Sequence, residues 1–118
     1  MIPKRIKKLQ TESRRLKTWQ VDHNTLVVES DSNPLMQYVV TVRFGKDGTV
    51  RARCTCDWAK HQGVGCSHVM AALEYLASLK DRTLSFWLSE EEAKRQKHRV
   101  FRLMGDRRNR IWITSRAA

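Results

Sequence analysis

The sequence predicts a small α+β domain. Its centre is an antiparallel sheet or β-hairpin tied through a cysteine- and histidine-bearing knuckle to the helix that follows, flanked by a basic N-terminal helix and by a C-terminal helix plus β-hairpin. Three observations carry this reading. Residues 37–44 and 49–55 alternate in polarity as strands do, and Gly45-Lys46-Asp47-Gly48 between them is a hairpin signal. All three cysteines fall in the stretch from Cys54 to His68, which reads C-T-C-D-W-A-K-H-Q-G-V-G-C-S-H. From Ser67 onward Val69, Leu73 and Leu76 recur at helical spacing, so His68 sits at a helix start.

The cysteine stretch is the organising element. Strand alternation puts Cys54 and Cys56 on the same face, so both sulfurs can reach one ion. Gly63 and Gly65 ease the turn that brings Cys66 and His68 back onto the first pair. Three thiolates and an imidazole are the ligand set of a closed structural zinc site, because Zn²⁺ prefers four tetrahedral soft or borderline donors. Three other readings compete. The cysteines can be small buried apolar side chains, two of them can form a disulfide, or one can pair with a histidine as a nucleophile. A disulfide leaves an odd thiol, and a nucleophile explains one cysteine and leaves two unexplained. His61 is a second histidine inside the stretch.

The pattern C-x-C, nine residues, C-x-H, then an apolar helix resembles the SWIM zinc finger, over about residues 41–79. The resemblance implies that Cys54, Cys56, Cys66 and His68, rather than His61, hold one structural Zn²⁺. Trp58 and the glycine before Cys66 also look like family features. It implies a module that binds DNA or other proteins, not a reaction.

Charge adds a second clue. The net charge is +11, from 23 Lys and Arg against 12 Asp and Glu. Residues 1–17 hold seven basic side chains and one acid, and residues 94–118 hold nine basic and one acid. Residues 18–93 hold seven basic and ten acidic side chains, so the positive charge lies at the two ends. Three thiolates on Zn²⁺ would add a formal −1 at the centre, which makes the knuckle itself a poor anion site.

The rest of the chain follows in order. Residues 2–17 form a weakly amphipathic helix with Ile6, Leu9 and Leu16 on one side, either a phosphate-binding arm or a solvated helical face. Residues 18–21 and 25–29 are strands around an Asp22-His23-Asn24 turn, and residues 30–34 are a loop. Trp19, Trp58 and Trp87 are expected in the core, and Trp112 on a C-terminal strand. Ser89-Glu90-Glu91-Glu92 is a capping box for a helix running to about His98. Residues 99–104 and 110–114 alternate as a final hairpin. Three regions result: a basic arm at 1–17, a zinc-bearing core at 18–80, and a basic extension at 81–118 packed on that core.

The expected function is nucleic-acid binding, DNA favoured, through Lys4, Arg5, Lys7, Lys8, Arg14, Arg15, Arg51, Arg53, Lys60, Arg107, Arg108 and Arg110. The alternative is a protein adaptor with Phe86, Trp87, Phe101, Trp112 and Ile113 as anchors. No P-loop, Rossmann glycine pattern, H-E-x-x-H or deaminase signature occurs, so neither an enzyme nor a small-molecule substrate is expected. No membrane association is expected. Reduced cysteines point to an intracellular protein.

Overall fold

In the computed structural model, residues 6–29, 36–56, 66–104 and 110–117 are described, apart from the side chains of residues 6, 8, 9 and 110. Their elements, in chain order, are α1 (Ile6–Ser13), β1 (Thr18–Gln20), β2 (Thr25–Glu29), β3 (Gln37–Phe44), β4 (Thr49–Cys54), α2 (Ser67–Ser78), β5 (Arg82–Trp87), α3 (Glu90–Lys94), β6 (Val100–Met104) and β7 (Arg110–Ala117). The seven strands form one curled sheet in the order β1-β2-β3-β4-β6-β7-β5. Every pairing is antiparallel except β4 with β6. The sheet therefore takes strands from both the central and the C-terminal region.

The expected hairpin forms with Phe44 opposite Val50 and Val40 opposite Cys54. Its turn closes through Gly45 N–H donating to the Thr49 carbonyl at 2.7 Å, and Gly48 takes a φ of 80° that a side chain would strain. Alternation then separates two faces. Leu26, Val28, Val40, Val42, Val50, Ala52 and Cys54 point inward and are buried, and Leu103, Ile111, Ile113, Leu84 and Phe86 extend that face across the other strands. Helix α2 lies on this face, and Val69, Met70, Ala71, Ala72 and Leu73 are buried against it.

Helix α1 docks on α2 and β5, and its described side chains make polar contacts there. Gln10 is buried and donates from Nε2 to the Leu84 carbonyl at 2.8 Å and to Glu74 Oε1 at 3.1 Å, so its burial leaves no donor stranded. Ser13 is buried beside it and donates to the Gln10 carbonyl at 2.7 Å. The amphipathic stripe read from the sequence accounts for Leu16, which packs on the core, but not for this polar seam.

Several expectations are corrected. Phe86 and Trp87, expected only as core or interface side chains, lie on edge strand β5, which pairs with β7 from Arg82 opposite Ala117 to Trp87 opposite Trp112. Helix α3 starts as expected, with Ser89 Oγ accepting from Glu92 N–H at 3.2 Å, but it ends at Lys94 rather than near His98. Lys97 turns the chain at a φ of 58° so that β6 can return beside β4, where Arg102 N–H donates to the Gly48 carbonyl at 2.9 Å. Trp19 is exposed rather than in the core, in a row with Val27 and Val39 on the outer face of β1, β2 and β3. Trp58 lies outside the described residues. Phe86 and Ile113, expected as interface anchors, are fully enclosed in the core, with Trp87, Phe101 and Trp112 half-buried. Among the described residues no helix is long and apolar enough to cross a membrane.

Phe86, the largest fully buried side chain, sits in the strand that closes the sheet. Phe86→Ala is expected to lower the unfolding free energy by about 3–5 kcal/mol, read from the urea midpoint at unchanged slope.

Candidate metal centre

Cys54 ends β4, Cys56 follows two residues later, Cys66 caps α2, and His68 lies in its first turn. One donor atom from each of the four lies within 4.8 Å of the others. All three cysteines are buried and none is in a disulfide, and His68 is half-buried. His61 lies outside the described residues.

Three backbone features set this geometry. Thr55, between the first two cysteines, continues the ladder: its N–H donates to the Val39 carbonyl at 3.2 Å, and its hydroxyl accepts from Val39 N–H at 3.1 Å. That pins the C-x-C segment to β3 and holds Cys54 and Cys56 on the buried side. Cys66 adopts the extended conformation of a helix N-cap, and its Sγ accepts from Val69 N–H at 3.4 Å. A thiolate there also meets the positive end of the α2 dipole. Finally, Tyr38 on β3 stacks on the His68 ring at a centroid distance of 4.2 Å. Neither Tyr38 nor Thr55 was singled out from the sequence. The signal was present for Tyr38, which shares the inward face with Val40 and precedes Cys54 on the paired strand.

The electrostatics of the cluster call for a cation. Crowding pushes the Cys54 thiol up to about 12, chiefly through its hydrogen bond with Cys56. Cys66 is raised well above the ordinary thiol range, first by its hydrogen bond with Cys54. Three sulfurs this close cannot ionise together unless a positive charge sits among them. His68 Nδ1 is also buried with no hydrogen-bond partner among the described residues, an orphaned acceptor or donor of the kind that metal ligation resolves. The donor set is that of structural zinc, and four protein ligands fill a tetrahedral shell.

Of the basic residues expected to meet nucleic acid, Lys7 and Arg14 make contacts with other described residues. Lys7 Nζ lies 3.7 Å from the centroid of the Trp87 ring, and burial lowers its pKa. Arg14 pairs with Glu74 at 3.6 Å, which holds α1 to α2. Arg15, Arg51 and Arg53 are exposed, the last two on the outer face of β4. Lys8 lies in α1 and Arg110 in β7, with side chains outside the described set. Lys4, Arg5, Lys60, Arg107 and Arg108 fall outside the described residues. Arg43, which strand alternation already puts on one face with Arg51 and Arg53, and Arg102 of the C-terminal hairpin join this set, because the sheet places both beside Arg51.

Metal removal is the first test. The protein is expected to bind one zinc per chain, and a strong chelator or Cys66→Ser should cost stability of several kcal/mol, read as lost cooperative thermal unfolding. Because Cys54 and Cys66 are held protonated without metal, zinc uptake must displace at least those two protons. Zinc affinity should therefore fall as pH is lowered, by about a hundredfold per unit near neutrality, measured by competition with a chromophoric chelator.

Comparison with known proteins agrees with this centre. No curated protein and no solved structure matches the chain. Residues 38–77 match the family model of the SWIM zinc finger, a span that begins at the residue stacked on His68 and ends within α2. The segment 38–77 is thus a SWIM zinc finger, and its one Cys₃His zinc-binding group is formed by Cys54, Cys56, Cys66 and His68.

Proposed function

We propose that this zinc module binds nucleic acid, DNA in the first instance, across the outer face of its sheet, and that it carries no catalysis. The observation that supports this is an arginine field on adjacent strands. Arg43 on β3 stands directly opposite Arg51 on β4, and Arg53 follows on the same face two residues later. Arg102 on β6 lies opposite Thr49, so it shares that face too. Like charges placed directly across a strand pair destabilise a sheet, so this arrangement has no rationale in stability. It has one in the neutralisation of a row of phosphates.

Zinc would then be a clamp rather than a reagent. Four protein donors leave no open position for water or substrate, which is why the reading contains no reaction. The outer face also carries Trp19 in a row with Val27 and Val39, an apolar strip on which bases can stack. The ends of the chain supply further positive charge, consistent with a sequence net charge of +11.

A second reading, a protein adaptor, has its own observation. The inner face is not fully covered by α2, and a groove of about 390 Å³ opens between Leu76 and Leu79 of the helix end and Phe44, Phe101 and Ile113 of the sheet. Phe44 and Leu79 at its rim are 66% and 59% exposed. This reading expects a photo-crosslinker at position 79 to capture one discrete protein, with the capture lost in Phe44→Ser.

The nucleic-acid reading is tested by fluorescence anisotropy with duplex and single-stranded DNA across salt. If the four arginines each neutralise a phosphate, log K should fall against log[salt] with a slope of about −3.6 on duplex. Arg51→Glu should weaken binding on the order of tenfold, with zinc content and melting temperature unchanged. Absence of binding at low salt, or a flat salt response, would overturn the reading.

A further inference from the structure

Within the arginine field, one group is not simply exposed. Arg102 is half-buried on β6, and its Nε is enclosed with no hydrogen-bond partner among the described residues. Among the described residues its side chain makes one hydrogen bond, from Nη2 to Thr49 Oγ1 at 3.5 Å, the limit for such a contact. A partly desolvated cation left unpaired is costly unless an anion completes it. Arg102 lines a cleft of about 270 Å³ together with Arg43, Arg51, Thr49 and Asp47. Neither Arg43, Arg51 nor Arg102 makes an ion pair with a described residue.

The charge count indicates what the cleft can hold. Among the described residues three guanidinium groups face one carboxylate, that of Asp47, which leaves two positive charges. Asp47 is committed to the hairpin turn, where its Oδ1 accepts from Thr49 N–H at 3.2 Å. It therefore stays ionised and subtracts one charge without closing the cleft. A phosphodiester carries a single negative charge and would leave the site half-compensated. A phosphomonoester carries nearly two at neutral pH, with three acceptor oxygens for planar guanidinium donors.

We propose that Arg43, Arg51 and Arg102 form a cradle for one phosphomonoester dianion, the terminal phosphate of a nucleic-acid strand. This rests on the nucleic-acid reading for the identity of the strand, but the phosphate chemistry is independent of it. The rest of the outer face, including Arg53, then follows the internal phosphates without regard to the end. The module would hold strand ends in preference to continuous backbone.

The experiment compares ten-nucleotide thymidine strands bearing a 5′-phosphate, a 3′-phosphate or hydroxyls at both ends, with inorganic phosphate as a separate arm followed by ³¹P NMR line broadening. At least one phosphorylated strand should bind about fivefold or more tightly than the hydroxyl strand. Arg102→Gln, and independently the exposed Arg43→Gln, should bring that ratio to about one, on top of any loss common to all three strands. Arg53→Gln should weaken all three strands together and preserve the ratio. Zinc content and thermal unfolding confirm that each variant is folded, and Arg43→Gln serves if Arg102→Gln does not fold. Equal affinity for all three strands in the wild type would overturn the cradle and leave nucleic-acid binding standing. If no strand binds but inorganic phosphate broadens in an Arg102-dependent way, the cradle stands and the nucleic-acid reading falls. If neither strand nor phosphate binds, both fall.

Discussion

Four donor side chains from two elements converge within 4.8 Å, and the rest of the molecule is arranged around keeping them there. Cys54 arrives on the last residue of β4, and Cys66 and His68 arrive on the first turn of α2. Without a cation the three sulfurs oppose one another's ionisation, which is visible in the raised Cys54 and Cys66 thiols. With one, the same crowding becomes cohesion between sheet and helix. Hydrophobic burial alone would hold α2 along residues 69–73, but it would not fix the helix's start against the end of a strand.

That clamp explains why the two sheet faces have different duties. The inner face is committed to α2 and to the aliphatic layer running from Leu26 to Ile113. The outer face is free of that commitment on β3 and β4, and there Thr41, Arg43, Thr49, Arg51 and Arg53 alternate with the core positions, with Val39 the aliphatic exception. Strand β6 joins β4 in parallel and brings Arg102 into the same field. A clamped sheet keeps these guanidinium groups in fixed register, the preorganisation that the anion binding proposed above would draw on.

The contrast with the chain ends is instructive. Charge at the ends dominates the sequence, yet among the described residues much of it is used internally. Arg14 binds Glu74, Lys7 lies over Trp87, and Lys94 and Arg95 pair with Glu90 and Glu91 one helical turn away. Such i,i+4 pairs on a solvated helix contribute only about 0.3–0.5 kcal/mol each, so they explain the placement of charge more than the stability of the fold. Counting basic residues along a chain therefore overstates how many remain for a partner.

What the sequence determined by itself was everything that depends on short-range pattern. The hairpin of β3 and β4 followed from alternation and a glycine-bearing turn, α2 from helical spacing, the Ser89 cap from its downstream acids, and the ligand set from the spacing of Cys54, Cys56, Cys66 and His68. What only the tertiary structure decided were pairings between segments distant in sequence, because alternation states that a strand exists and not which neighbour it will meet. The parallel contact of β4 with β6, the edge position of β5 and the burial of Gln10 against Leu84 all belong there. So does the field of Arg43, Arg51 and Arg102: two of them face each other across a legible hairpin, and the third reaches them only when the sheet closes over more than fifty residues of intervening chain.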